Sequence, residues 1–428
     1  MARRSGDGVN RFRFPVGPSD RLRTSELWQA APWQQLRTFE EIADPAEPPD
    51  VWARDLLMLV NAAFVADRMA RYPNTAHLRR EIQIDVPLAA PGLWQGRPLD
   101  LLTTILSYLS GDLWQIAVRE GAVFHPVTQQ QFHERWRAAE VALFSGGVDS
   151  TAGGAQIAAR SGGPALLVSY HHQATDGLQA HLLERLEKRV ANRELHRRKI
   201  ESRLEPGAGT YDDSQHRTRG LRFMGTGVYL AAAHGVAELA VPENGQLALN
   251  PPLTPARGGA WSTRSVHPTV LRLVNDLIDA VGGTVRVVNP LMDFTKGEVC
   301  RLALECGLTE ADLLMTNSCS KPASNLEGAT HCGACFACLV RRSGFIAAGI
   351  PDDTAYRHDF DDDPINVGLE ENLRAISMWL SREFTRAELA VDLPLPAGIA
   401  RRILPVIERG RLEFAELVER ANAERIRR

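Results

Sequence analysis

The chain reads as an α/β protein built around a parallel, doubly wound sheet, and three observations lead there. Apolar, strand-like runs alternate with helical stretches from about residue 141 to 290. A Gly-rich turn directly follows the short apolar run Val141-Ala142-Leu143-Phe144 and opens a helix running to about Arg160. Finally, the length of 428 residues exceeds a single ordinary core, so further units are expected on either side. Alternating strands and helices bury both faces of a parallel sheet and put ligands at the carboxyl ends of its strands.

Taken in order, residues 1–20 carry mixed charge, Gly and Pro and read as a disordered N-terminus. Residues 21–138 read as a small α+β accessory domain. Within it Leu56–Met69 has helical apolar spacing, Glu81–Val86 alternates like a strand, Leu99–Leu109 is a helix and Leu113–Val118 a strand. Residues 139–350 form the central unit. Its further strands are expected at Ala165–Tyr170, Glu194–Ile200, Glu238–Val241 and Thr284–Val288, its helices at Asp176–Val190, Gly220–Ala237 and Pro268–Val281. Residues 351–428 begin with an acidic run (Asp359, Asp361, Asp362, Asp363), read as a solvated linker, and continue as a helical extension.

Composition narrows the function classes. Hydrophobic residues make up 44% and charged residues 24%, as in soluble globular proteins. A net charge of −3 gives no electrostatic argument for a nucleic-acid partner. The most apolar stretch, Val228–Val241, is interrupted by His234 and Glu238 and is too short to span a bilayer. No apolar segment follows the basic Arg3-Arg4, so a signal peptide is not expected. The expectation is a cytoplasmic protein with no membrane partner.

Ser145-Gly146-Gly147-Val148-Asp149-Ser150 carries the strongest chemistry. Glycines permit positive φ and close approach of a ligand to the backbone, and successive amides at a helix start make an anion-binding nest. The loop therefore reads as a phosphate cradle. It lacks the Lys-Ser/Thr of a Walker A loop.

A second signal is Cys332-Gly-Ala-Cys335-Phe-Ala-Cys338, with Cys319 thirteen residues earlier. Four soft ligands are what a tetrahedral structural Zn²⁺ takes, with a knuckle turn at Gly333 and a helix from near Phe336 letting the sulfurs converge. An iron–sulfur cluster uses the same ligand type, and reduced core cysteines without metal are the bland alternative. Cys300 and Cys306 lie on an amphipathic helix and read as core residues.

The hexapeptide resembles the SGGxDS loop of the PP-loop ATP pyrophosphatases, and pairing it with the cysteine knuckle resembles the QueC family, the 7-cyano-7-deazaguanine synthases. Ordered matches over about residues 139–350 carry this: the loop, Arg219-Gly-Leu-Arg222-Phe223, Asn289-Pro290-Leu291-Met292, Thr295-Lys296-x-Glu298, Asn317-Ser318-Cys319 and the knuckle with Arg341-Arg342-Ser343-Gly344-Phe345. The resemblance implies an adenine nucleotide alpha hydrolase-like fold with a four-cysteine zinc knuckle at 319–338. It also implies an ATP-dependent enzyme that adenylates 7-carboxy-7-deazaguanine before ammonia displaces AMP. By the same carry-over Ser145, Gly146, Gly147, Val148, Asp149 and Ser150 hold ATP and its Mg²⁺-pyrophosphate, and Lys296 and Arg219 offset charge on the leaving pyrophosphate. Zn²⁺ is implied on Cys319, Cys332, Cys335 and Cys338.

The sequence departs from QueC at three places. It adds a front of about 140 residues and a tail of about 75 residues. The family's substrate-reading segment is replaced by Glu243-Asn244-Gly245, Asn250-Pro-Pro and Trp261-Ser-Thr-Arg264-Ser-Val-His267-Pro268, and Tyr170-His171-His172-Gln173 stands at another strand end. Glu243 could accept from the N1–H and amino edge of a guanine-like base, and Arg264 and His267 could face a carboxylate or the α-phosphate. The enlarged form resembles QueC-like proteins of bacterial anti-phage defence operons of the Qat and type IV CBASS kind. That comparison implies a protein partner from the same operon, whose amine takes the activated carboxylate. A homodimer is also open. A PP-loop tRNA-modifying or sulfur-transfer enzyme and a non-catalytic nucleotide-binding scaffold are the competing readings.

Overall fold

A computed structural model describes residues 8–14, 16, 29–30, 49–73, 79–121, 136–171, 176–201, 217–250, 264–321, 326–362, 364–385, 387–390, 394–396 and 398–426. The front contains β1 (Asn10–Arg13), β2 (Gln29–Ala30), α1 (Val51–Met69), β3 (Glu81–Leu88), α2 (Arg97–Ser110) and β4 (Leu113–Glu120). Its strands lie in the order β2-β1-β3-β4, and every pairing is parallel. Two sequence expectations are corrected here. The front is parallel α/β and not α+β, because helix α2 carries the chain back across the sheet before β4, and such a crossover makes neighbouring strands parallel. Part of the stretch expected to be disordered is strand β1. Phe12 and Phe14 point into the core at 0% exposure, while Arg11 and Arg13, whose charge hid the alternation, bond Gln83 (2.9 Å) and Asp85 (3.0 Å) on β3.

The central unit contains β5 (Glu140–Leu143), α3 (Val148–Ala159), β6 (Ala165–His171), α4 (Asp176–Arg189), β7 (Leu195–Glu201), α5 (Arg219–His234), β8 (Glu238–Ala240), α6 (Gly245–Leu249), α7 (Pro268–Ala280) and β9 (Arg286–Val288). It continues through α8 (Lys296–Glu305), α9 (Glu310–Met315) and α10 (Phe336–Ala348); the tail adds α11 (Val367–Leu380) and α12 (Ile399–Ile426). The central strands run parallel in the order β7-β6-β5-β8-β9. The chain leaves β5 toward β6 and later returns to its other side with β8. That reversal opens a crevice at the carboxyl end of β5, where the Gly-rich loop sits.

Apolar layers cover both faces of the central sheet, one around Phe144, Val148, Leu182, Val299 and Phe345, the other around Val141, Val228 and Leu239. The second layer runs without a break into the front, through Phe12, Val60 and Ile84. Helix α1 lies between β3 and α5 and is buried on nearly every side, as a helix apolar all round must be. Each of its buried Asp and Asn side chains accepts at least one hydrogen bond. Asp55 accepts from the amides of Ala89 and Ala90 (both 2.9 Å), Asn61 from Arg222 Nε (2.7 Å), and Asp67 from Arg80 and Thr218. A Cβ on Gly225 of α5 would come within 2.6 Å of Val60, so this glycine sets the close approach of the two helices.

The acidic stretch after residue 351 is corrected as well, since its described part is docked. Arg342 of α10 reaches Asp359 (2.6 Å) and the His358 carbonyl (2.9 Å), and its guanidinium lies 3.6 Å from the Tyr356 ring centroid. One carboxylate of the run, Asp359, therefore answers a buried cation and not only solvent.

Candidate active site and metal centre

The Gly-rich loop turns at Gly146, whose φ of +84° strongly favours glycine. Ser150, on the first turn of α3, ties the loop together. Its Oγ accepts from the amides of Ser145 and Gly146 (both 3.1 Å) and donates to the Gly147 carbonyl (3.1 Å). From outside, Gln179 donates to the Ser145 carbonyl (3.0 Å) and the Asn317 amide to the Gly146 carbonyl (2.9 Å).

Asp149 turns the other way and is 7% exposed. Lys296 Nζ donates to its Oδ1 at 2.8 Å, and Asn244 Nδ2 to its Oδ2 at 3.0 Å. Lys296 is 2% exposed at the start of α8, whose first turn is closed by a Thr295/Glu298 capping box. Its path is cleared by Gly344, where a Cβ would fall 2.2 Å from Lys296 Cγ. Glu243, half-buried just beyond β8, stands beside this pair. Its pKa lies well above the ordinary carboxylate value, chiefly because burial disfavours its charge and then because Asp149 is next to it, with Lys296 pulling the other way. Asn289 fixes the Glu243 backbone from both sides, at 3.1 Å and 2.7 Å.

These groups line one cleft of about 1160 Å³ that runs from the phosphate loop past Arg219 to the cysteine cluster and on to His358, Asn366 and Asn372 of the tail. Arg219 begins α5 and is exposed on the cleft wall. Ser145, Gly147, Val148, Asp149, Ser150, Lys296 and Glu243 are therefore brought together. Arg264 and His267 are not among the residues lining this cleft. His267 caps α7 through Nδ1, which accepts from the Thr269 amide (3.2 Å), and Arg264 lies buried just before it at 8% exposure. Trp261 and the residues around it, as well as His172 and Gln173, lie outside the described residues.

The four cysteine sulfurs lie within 4.8 Å of one another. A Zn²⁺ with Zn–S bonds of about 2.3 Å needs S···S edges of about 3.8 Å, and Cys332–Cys338 at 3.9 Å and Cys335–Cys338 at 3.4 Å are close to that. Backbone amides point at the sulfurs: Lys321 and Cys332 at Cys319 (both 3.4 Å), Cys335 at Cys332 (3.3 Å). Such donors favour thiolate over thiol, so the cluster fits a resident zinc. Gly333 makes the knuckle at φ +74°, and a Cβ there would strike the His358 carbonyl at 2.0 Å. Cys300 is a core residue, as its helix position suggests, and burial pushes its thiol up to about 12.

Sequence patterns did not point to Gln246, and they named Asn289 and Asn244 only inside longer segments, with no role given to either side chain. His331 was missed too. It is buried between Arg341 and Tyr356, its ring accepts from the Ser318 amide (3.2 Å), and it steadies the loop between the phosphate site and the metal site.

With this geometry in hand, the chain aligns over 236 residues at 31% identity with the 7-cyano-7-deazaguanine synthase of Methanothrix thermoacetophila, covering 98% of that protein and 51% of this chain. The chain belongs to the QueC family. A family model described as queuosine biosynthesis protein QueC matches residues 267–349, the span holding Lys296 and all four clustered cysteines. Synthases of the same name from Syntrophobacter fumaroxidans and Cupriavidus taiwanensis match at 41% over 75 residues and 40% over 76 residues. Each match covers 18% of this chain, and 30% and 31% of those proteins. QueC enzymes are ATP-dependent synthases of the PP-loop superfamily, and this QueC-like chain carries their loop at the switch point of its sheet. No helix among the described residues is long and apolar enough to cross a membrane.

Proposed function

We propose that this cleft uses ATP to adenylate the carboxylate of a 7-deazaguanine, 7-carboxy-7-deazaguanine, and passes the activated acyl group to an amine. The observation that carries the reading is the buried Lys296–Asp149 pair (2.8 Å) at the mouth of the phosphate loop, with Glu243 beside it in a large polar cleft. Burial and the neighbouring Asp149 make it costly to ionise Glu243 here, so a divalent cation would offset the charge of the two carboxylates, and hard oxygen-liganded Mg²⁺ fits that donor set. Bound there, Mg²⁺ would supply charge neutralisation for the nucleotide phosphates. The chain's own part is positional. Asn244 and Lys296 hold Asp149 in one orientation, and Lys296 and Arg219 bring cationic charge to where pyrophosphate leaves. The clustered thiolates close on each other and fit a structural metal, which disfavours sulfur transfer.

The acceptor we propose is ammonia or an amine on a protein encoded in the same defence operon. The unmatched half of the chain supports the protein acceptor, since holding a macromolecular amine against an acyl-adenylate contributes several kcal/mol through proximity. Mass spectrometry of co-expressed neighbouring proteins should then find a deazaguanine adduct. The adenylation itself is tested by AMP and pyrophosphate release from Mg-ATP and 7-carboxy-7-deazaguanine. Asp149→Ala is expected to abolish release with the circular dichroism spectrum unchanged; full turnover in that variant would remove the assignment.

A further inference from the structure

Helix α12 of the tail lies far beyond residue 349, where the family match ends, yet one of its side chains reaches the helix that carries Lys296. Glu413 is 6% exposed. Its Oε1 accepts from the hydroxyl of Thr295 and from the amide of Gly297 (3.1 Å), and Oε2 lies 3.2 Å from the same amide. Those donors flank Lys296 on either side. The approach depends on Gly297, because a Cβ there would sit 2.6 Å from Glu413 Oε1. One turn earlier on α12, Gly410 packs against Gln246 so closely that a Cβ would meet its Nε2 at 2.1 Å. Gln246 Oε1 in turn accepts from the Lys296 amide at 2.8 Å. Three consecutive residues at the start of α8 are thus held directly or through Gln246 by the tail.

We infer that Glu413 is a positioning residue for Lys296: its carboxylate, delivered by α12, fixes the first turn of α8 so that the lysine ammonium stays on Asp149 at the phosphate loop. The inference rests on the ATP-dependent reading of the cleft. A carboxylate suits the place, since it accepts from both donors and sits at the positive end of a ten-residue helix. A protonated carboxyl keeps its bonds less well, having turned one oxygen into a donor that faces an amide. Burial pushes the Glu413 pKa up to about 7, so this change falls in a measurable range. The groups facing it are few. Glu298 on α8 raises the value further and Arg301 on α8 lowers it. Arg409 on α12 is engaged with Glu298 (2.7 Å), Cys300 stays a neutral thiol, and α10 and α6 present the neutral Ala347 and Gln246. The working form is the ionised one, so activity should rise with pH through about 7.

The test compares the full-length protein with Glu413→Gln and Glu413→Asp. Release of AMP from Mg-ATP and 7-carboxy-7-deazaguanine is followed from pH 6 to 8.5. In parallel, the Gly297 amide is followed over the same range by NMR with selective ¹⁵N-glycine labelling. The expected result for Glu413→Gln is a roughly tenfold lower kcat with KM for ATP changed less than about twofold, because Lys296 is meant to act on the departing pyrophosphate. Its rate should also lose the limb near pH 7, and Glu413→Asp should recover part of kcat. A Gln variant with wild-type kcat, or one that keeps the limb, overturns the inference. If the Gln variant does not fold, the wild-type protein decides: a Gly297 amide and a rate that both titrate near 7 support it, and either one flat overturns it. A wild-type protein that releases no AMP sinks the ATP reading instead, and the Gly297 titration still judges the Glu413 contact.

Discussion

The front and the tail both extend this chain beyond residues 267–349, and they reach the cleft in different ways. The front grips the residues just before Arg219. Asp67 Oδ2 accepts from both the amide (3.0 Å) and the hydroxyl (2.9 Å) of Thr218, and Arg222 donates to Asn61 on α1. The tail grips the turn that carries Lys296, through Glu413. What separates them is the company of the carboxylate. Asp67 is locked to Arg80 (2.5 Å), itself shared with Asp112 (2.6 Å), all of them at most 1% exposed. Glu413 is held by a hydroxyl and an amide, both neutral. Burial raises the pKa of both carboxylates, but at Asp67 the Arg80 guanidinium pulls it back down and ties the group into an ion pair, whereas the hydrogen-bond donors to Glu413 are neutral and it is pushed up to about 7. The front therefore acts as an anchor and the tail as an adjustable support.

The largest effect should come from removing the front. A chain starting near Arg135 uncovers Met224 and Val228 of α5 and Leu277 of α7, which share one apolar layer with α1 and α2. Each such side chain contributes about 1.5–3 kcal/mol when buried, so the remnant should lose its cooperative unfolding transition. A soluble remnant with a wild-type melting curve would show that the front is a detachable module.

Loss of the metal comes next and separates the two regions. Cys335→Ser should leave less than one zinc per chain in elemental analysis and lower the melting temperature, since metal binding is coupled to folding. Because Arg342 and Asp359 dock the start of the tail on the knuckle, amide exchange should rise over residues 351–380. It should stay low in α1. Equal protection loss in both would erase the distinction, and purified protein with neither zinc nor iron would end the metal assignment.

Asp67→Ala should cost about 3–5 kcal/mol in denaturant unfolding, the range for stripping one partner from a buried ion pair. A loss under about 1 kcal/mol would mean that Asp112 alone satisfies Arg80 and that the anchor is weaker than its geometry implies.

The smallest effect sharpens the contrast through pH. Glu413 has its folded pKa raised above the unfolded value of 4.5, to about 7, so the folded state holds its proton more tightly. The stability this contributes is complete below about pH 4.5 and is lost as pH rises through about 7. Wild-type stability should fall by roughly 1–3 kcal/mol across that window, and Glu413→Gln should lack that part of the slope. Activity is expected to move the opposite way. A Gln variant that keeps the full slope would assign the titration to another group.

Much of this protein is written in its sequence. The phosphate loop, the cysteine knuckle and the central strands and helices are contiguous or nearly so, and hydrophobic period, glycine and cysteine spacing report such local geometry directly. Strand β1 escaped because Arg11 and Arg13 masked the alternation of Phe12 and Phe14 until β3 supplied Gln83 and Asp85. Only the tertiary structure decided what surrounds each catalytic candidate. Asp149 meets Asn244 across 95 positions and Lys296 across 147, and Gly297 meets Glu413 across 116. No periodicity links residues so far apart. The sheet order set by β5 and β8 and the packing of α12 on α6 and α8 bring them together, and that long-range packing made a tail with no motif part of the site.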